Sequence, residues 1–261
     1  MTENTPELWQ DRLPWPKAEE HKYNRGHAVI LAADELTGAT RLAATACSRM
    51  GAGLVSVVSP AKADLFRTVL PPDIMVRDRF DPSMRGITAV LAGPGGGDSA
   101  AQLPEFEQPV FKILDAGALP EAGNYEMIDA ATVLTPHEGE FARAFPDLSG
   151  DRAERALTAA KTCGGMMVLK GADTIVAAPD GRLVINHHAS SFLAKAGAGD
   201  VLAGMICGLL AQCDPKTRDS MFEMVCAAVW MHGEAGIRLG PGLTASDLEG
   251  ALPGMLHDLY G

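Results

Sequence analysis

The chain has 261 residues, 47% hydrophobic and 21% charged, the balance of a soluble globular protein with room for one large α/β domain or two small ones. Its net charge of −11 argues against a nucleic-acid-binding surface, although a local cluster of backbone N–H groups can still hold a small anion. The five cysteines include no C-x-x-C pair and lie mostly in apolar stretches, as expected of small core residues in a reduced, cytoplasmic protein.

Residues 1–20 read as a polar N-terminal lead containing Pro6, Pro14 and Pro16, with no apolar run resembling a secretion signal. Residues 21–261 read as a single domain, since no linker, repeat or low-complexity tract divides them. "HAVILAA" (27–33) predicts a buried strand, and "TGATRLAATACSRMGAG" a helix stopped by Gly51 and Gly53. "LVSVVSP" is a strand and 61–69 a short helix. "ITAVLAGPGGG" is a strand running into a glycine turn, and "VFKILDAGAL" a strand ending in Asp115. "ATVLTPHEGEFARAF" reads as strand, turn and helix, and 150–163 as helix. "MMVLKGADTIVAAPDGRLVINHHAS" reads as three strands, the last two joined by a tight Asp180-Gly181 turn. Helices at about 200–212, 218–238 and 244–259 close the chain, none with the length and uniform apolarity of a membrane span.

Strands alternating with helices imply a mainly parallel sheet with helices on both faces. Such sheets bind ligands beyond the carboxyl ends of their strands. Gly93, Gly95, Asp115, His137 and Lys170 all fall at those ends. There is no G-x-x-x-x-G-K-[ST], no G-x-G-x-x-G at a strand-to-helix join, no H-E-x-x-H and no G-x-S-x-G.

The stretch "AGAGDVLAG" (196–204) carries the sharpest chemistry. Gly197, Ala198 and Gly199 lead into an apolar helix whose free N–H groups and positive dipole end suit a phosphoryl group. Asp200 sits at the join, where it serves either as helix cap or as base for an attacking hydroxyl, and the two roles are compatible. Each remaining motif has a plain alternative. "LAGPGGG" also suits a turn. "TPHEGE" also suits helix capping, with Thr135 as cap. "LKGADT" also suits a solvated turn. His187 and His188 read as turn or surface residues, and Trp9, Trp15 and Trp230 as packing.

Taken in order, these blocks, together with "KYNRGHAVILAA", "NHHASSFLAKAGAGDVLAGMICGLLAQ", "AAVWMHGEAG" and "GLTASDLEGALP", resemble the ADP/ATP-dependent NAD(P)H-hydrate dehydratases of the ribokinase-like superfamily. The resemblance runs from about residue 21 to 258. It implies an α/β ribokinase-like fold and repair of hydrated NADH or NADPH. A nucleotide phosphorylates the C6 hydroxyl of the damaged ring, and phosphate is then eliminated. By the same resemblance Asp200 is the base, and Gly197, Ala198 and Gly199 form the anion hole. Lys170, Gly171, Ala172, Asp173, Thr174 and Gly199 line the nucleotide pocket. Ala39, Gly93, Gly95, His137 and Asp200 contact the hydrated dinucleotide. Mg²⁺ is implied by nucleotide chemistry, with no ligand set legible. ADP or ATP serves as donor, with a lean to ADP. The partner activity is an NAD(P)H-hydrate epimerase, expected on a separate chain. Ala- and Gly-rich helices suit a homo-oligomer. Three positions depart from the usual pattern: Gly117 where a second acid is common, Glu138 where Pro is frequent, and Ala198 where Ser is frequent. Two other readings fit the Asp200 loop: a ribokinase-like kinase of a vitamin precursor, of hydroxymethylpyrimidine or hydroxyethylthiazole type, and a nucleotide-binding regulator without turnover.

Overall fold

A computed structural model describes residues 2–81 and 84–260. Among them, ten strands form one sheet in the order β1-β10-β9-β8-β7-β6-β5-β2-β3-β4. The strands are β1 (Thr2–Glu3), β2 (His27–Leu31), β3 (Leu54–Val58), β4 (Met75–Arg77), β5 (Ile87–Ala92), β6 (Phe111–Leu114), β7 (Thr132–Leu134), β8 (Met166–Leu169), β9 (Thr174–Ala177) and β10 (Leu183–Asn186). Every pairing is parallel except those that β9 makes with β8 and β10. The helices are α1 (Thr37–Arg49), α2 (Ala63–Val69), α3 (Glu138–Ala144), α4 (Arg152–Cys163), α5 (Ala198–Ala211), α6 (Met221–Leu239) and α7 (Ala245–Tyr260). None of the described helices is long and apolar enough to cross a membrane.

The central strands read as largely apolar runs because both faces are covered. In β2, Ala28 and Ile30 face the core made with α1, α5, α6 and α7, whereas Val29 and Leu31 face a smaller cluster on the opposite side. Helices α3 and α4 cover that second face farther along, over Met167, Leu169 and Ile175. The ribokinase-like expectation of a mainly parallel sheet flanked on both faces is met.

Helix α5 lies at the centre, with 12 of its 14 residues buried, so it has no solvent stripe. It packs on α1 backbone to backbone. A Cβ at Gly204 would sit 2.2 Å from the Ala43 carbonyl oxygen, and one at Gly208 would sit 2.4 Å from that of Cys47. The two contacts advance four residues on each helix, so α1 and α5 run in the same direction. Extending the register by one turn brings Ala39 level with Asp200.

Three features depart from the sequence reading. Helix α5 starts at Ala198 rather than near residue 200, because Gly197 takes the cap position at φ 92°. Strand β4 lies at the sheet edge and spans only three residues, too few for a periodic pattern. The N-terminal lead also belongs to the packed fold. Thr2 and Glu3 pair with Val184 and Ile185, and Trp9 is fully buried against Trp230 at 5.6 Å. Asn4 Nδ2 donates to Asn186 Oδ1 and to the Cys226 carbonyl. Two ladder residues and one buried tryptophan leave no periodicity from which docking could be read.

The helix contact gives a stability test. Gly204→Ala is expected to cost about 1–3 kcal/mol, because the added methyl has only backbone to displace. The fall in Tm should be roughly 2–4 °C per kcal/mol. Gly250→Ala, in exposed helix with nothing near its Cβ position, should hold or raise Tm in the same thermal melt.

Candidate active site

Strands β5, β6, β7 and β8 are mutually parallel, so the residues that follow them share one edge of the sheet. Asp115 follows β6 and is only 2% exposed. Its Oδ1 accepts from Lys170 Nζ at 2.8 Å and from Thr135 Oγ1 at 2.8 Å. A buried carboxylate is tolerable when an ammonium and a hydroxyl satisfy it in this way. Lys170 is held in turn by its own backbone, its N–H donating to the Pro136 carbonyl at 2.8 Å.

Helix α5 aims its start at the same edge. A Cβ built at Gly199 would lie 3.2 Å from Lys170 Nζ, so the ammonium rests against the glycine loop. Asp200 occupies the third position of the helix and makes no side-chain cap there. The capping role considered for it is therefore taken by the Gly197 backbone. Among the described residues nothing donates to the Asp200 carboxylate. Burial, reinforced by the charge of Asp115 and less strongly by Glu140, pushes its pKa up to about 6, with Lys170 pulling the other way. A carboxyl poised there is mostly ionised at neutral pH yet still basic enough to accept a proton.

Two histidines are fixed nearby. His137, not Thr135, caps α3: its Nδ1 accepts from the Gly139 and Glu140 N–H groups, and Glu140 Oε2 accepts from the His137 N–H. Nδ1 is thus the acceptor, which leaves Nε2 on an exposed ring edge, 3.5 Å from Glu140 Oε1. His232 donates from Nε2 to the Ala198 carbonyl at 2.9 Å, and burial pushes its pKa down to about 4, so it stays neutral.

A cavity of about 810 Å³ opens beside this cluster, large enough for a nucleotide. Of the residues singled out in the sequence, His137, Lys170, Gly171, Ala172, Thr174, Ala198 and Gly199 line it. Asp173 does not. Its carboxylate turns to His187 Nδ1 at 2.8 Å, and its carbonyl accepts from Arg152. Ala39, Gly93 and Gly95 gather outside the cavity, where the glycine turn meets α1 and Leu36 N donates to the Gly95 carbonyl. Asp200 lies between the two groups, next to Gly199 in the chain and level with Ala39 across the helix contact. Gly117 has a local reason: a Cβ there would fall 2.3 Å from the Gly97 nitrogen, so this turn admits no second acid without moving. Glu138 pairs with Arg152 and Arg155.

Sequence reasoning missed Asn186, Ser190, Ser191, Lys195 and His232 as lining residues, and Glu140 as a neighbour of Asp200. The run "NHHASSFLAK" held most of them, but its polar residues carry no periodicity that marks a wall. Among the described residues no group of three or more His, Cys, Asp or Glu is placed to hold a metal ion.

A mostly parallel sheet covered by helices on both faces is the fold of the ribokinase-like class. An Enterococcus faecalis ribokinase-like superfamily protein shares this fold at TM-score 0.80 and 22% identity, over 98% of this chain and 95% of the other. Within that class the chain belongs to the NAD(P)H-hydrate dehydratase family, whose model matches residues 27–249. It is 36% identical to the ADP-dependent (S)-NAD(P)H-hydrate dehydratase of Bacillus subtilis, over 88% of this chain and 86% of the relative. The crystal structure of the ADP/ATP-dependent NAD(P)H-hydrate dehydratase from Bacillus subtilis, co-crystallised with ATP and Mg²⁺, superposes at TM-score 0.82 with 30% identity, covering 99% of this chain and 98% of the other. The chain is also 33% identical to the bifunctional NAD(P)H-hydrate repair enzyme Nnr of Synechocystis, over 83% of this chain and 45% of the relative. It spans about half the length of the bifunctional relatives it matches.

The raised Asp200 carboxyl has a cost to folding. The folded state binds its proton more tightly than the unfolded chain, so stability falls as pH rises from about 4 to about 6 and stays lower above that. Asp200→Asn is therefore expected to raise stability by about 1–2 kcal/mol at pH 8, allowing for the part-exposure of the side chain, and to change it little at pH 4. Chemical denaturation at the two pH values measures this.

Proposed function

We propose that this chain restores NADH and NADPH from their 6-hydrates at the expense of ADP or ATP. The observation that carries the reading is Asp200: a carboxylate with no hydrogen-bond donor on it among the described residues, its pKa raised to about 6, at the mouth of a glycine loop between a nucleotide-sized cavity and the Ala39–Gly95 shelf.

The nucleotide lies in the cavity, its terminal phosphate against the Gly199 backbone and Lys170. The hydrated ring lies over Ala39, Gly95 and His137, with its C6 hydroxyl toward Asp200. Asp200 takes the hydroxyl proton as the oxygen attacks the terminal phosphorus. The new O–P bond forms as the bridging P–O bond breaks, and the shortened nucleotide leaves. The α5 N-terminus and Lys170 stabilise the charge on the transferring group. The C6–O bond then breaks, phosphate departs with the electron pair, and a proton lost from the neighbouring carbon restores the ring double bond. Phosphate leaves readily where hydroxide does not, which is why a kinase-like site suits a dehydration.

The residues fit Mg²⁺ delivered on the nucleotide rather than held by a protein cage, since no three-ligand cluster is present among the described residues and Mg²⁺ is commonly held by phosphates with few carboxylates. Bound in that way it supplies charge neutralisation on the phosphates. The second activity in the repair, epimerisation of the hydrate, is the functional partner. All five cysteines are free and four are buried, which suits a cytoplasmic enzyme.

A recovery assay tests the proposal. The protein, hydrated NADH, Mg²⁺ and either ADP or ATP should return the reduced-nicotinamide absorbance only when nucleotide is present. Asp200→Asn should lose that turnover while still binding nucleotide, because the loop binds through its backbone. In the wild type, kcat/KM should fall as pH drops below about 6, where Asp200 becomes protonated. No recovery with either nucleotide from a folded sample would remove the dehydratase reading in favour of a vitamin-precursor kinase.

A further inference from the structure

Arg152 sits outside the cavity, yet its guanidinium is spent almost entirely on the loop that forms one wall. Nη1 donates to the Asp173 carbonyl at 2.6 Å, and Nη2 to the Lys170 carbonyl at 3.1 Å and the Leu169 carbonyl at 3.4 Å. Nε donates to Glu138 Oε1 at 2.5 Å. The head group is thus tied to both sides of the site, the β8–β9 turn and the first turn of α3.

The anchor is firm at each end. Arg152 opens α4 immediately after Asp151, whose side chain caps that helix in a reciprocal pair with Glu154. Glu138 is shared with Arg155, whose Nη2 reaches both of its oxygens at 3.2–3.3 Å. Burial works to raise the Glu138 carboxyl, but the two guanidiniums outweigh it and hold the group below its ordinary range. Glu138 is therefore charged at neutral pH.

In a planar trans peptide the C=O and the next N–H point in opposite directions. The Lys170 carbonyl is turned to Arg152, so the Gly171 N–H is turned away from it. Gly171 lines the cavity, and its N–H has no acceptor among the described residues. The guanidinium fills the other side: a Cβ at Gly171 would sit 2.4 Å from Arg152 Nη2. The loop backbone is sandwiched between the guanidinium and the cavity.

We propose that Arg152, anchored by Glu138, is a positioning residue for nucleotide: it fixes the Lys170–Asp173 turn so that the Gly171 N–H is presented to an acceptor atom of ADP or ATP. The proposal rests on the reading of the cavity as the nucleotide site. A planar guanidinium serves three carbonyls and one carboxylate at once, which the compact ammonium of lysine does not.

The experiment compares wild type, Arg152→Met, Arg152→Lys and Glu138→Gln. It measures KM for ADP and for hydrated NADH, kcat, calorimetric ADP affinity, and Tm as a check on folding. Arg152→Met should raise the KM and Kd for ADP about tenfold or more, the size expected when hydrogen bonds to a charged group are lost. The KM for hydrated NADH and kcat at saturating ADP should stay within about threefold, the signature of lost binding rather than lost chemistry. Arg152→Lys should recover part of the affinity, and Glu138→Gln should move ADP affinity the same way by a smaller factor. A folded Arg152→Met protein with wild-type ADP affinity would overturn the proposal, as would equal losses in both KM values and kcat. If Arg152→Met does not fold, Glu138→Gln decides: a selective rise in the KM for ADP supports the role, and no change rejects it. A wild-type protein that shows no nucleotide dependence strikes instead at the reading of the cavity, and the wild-type measurement alone distinguishes that outcome.

Discussion

Helix α5 reaches the carboxyl edge of the sheet as an almost wholly buried element, and it does so because Gly204 and Gly208 let α1 lie against it backbone to backbone. Larger residues at those two positions would push the axes apart and tilt the start of α5 away from Lys170. The same contact fixes α1, since the helices run in one direction with a constant offset. Two helix N-termini therefore arrive together at one edge, carrying Ala39 on one and Asp200 on the other. That the glycine loop, Asp200 and Ala39 share one edge is a consequence of that packing.

Charge is then divided unequally around a single ammonium. Asp115 and Asp200 both approach Lys170, but only Asp115 is satisfied, by Lys170 Nζ and by the Thr135 hydroxyl. Asp200 has no donor among the described residues and a raised pKa. Of the two carboxylates, Asp115 is spent on holding the edge together, and Asp200, in the reading proposed above, is the one kept available for chemistry. The neighbouring histidines are restrained in a similar way: His137 is locked by capping α3, and His232 is kept neutral under the Ala198 carbonyl. Sites that need a poised proton acceptor commonly rely on such fixed neighbours.

The strand and helix pattern was largely legible because a sheet covered on both faces writes itself as apolar runs, and β8 and most of β2 and β5 are such runs. The glycine loop and its acid were legible because a turn, a buried helix and a carboxylate stand next to each other in the chain. Two-residue β1 and three-residue β4 were not, since neither is long enough to show a period. Trp9 read as a packing residue and is buried, but its partner was not legible: it is Trp230, more than two hundred residues away. The cap of α3 was assigned to Thr135 by its residue type. The hydroxyl is instead engaged by Asp115, and the imidazole of His137 takes the cap.

The sequence by itself determined the family, the alternation of strand and helix, and the identity of Asp200 as the distinctive acid, because each rests on residues near one another in the chain. Only the tertiary structure decided what surrounds that acid. Lys170 meets Asp115 across 55 positions, Arg152 reaches back to Glu138 and forward to the Lys170–Asp173 turn, and Asp173 faces out of the cavity while Gly171 lines it. Those outcomes depend on sheet order and helix register, and a short polar residue at a turn carries no local signal for either.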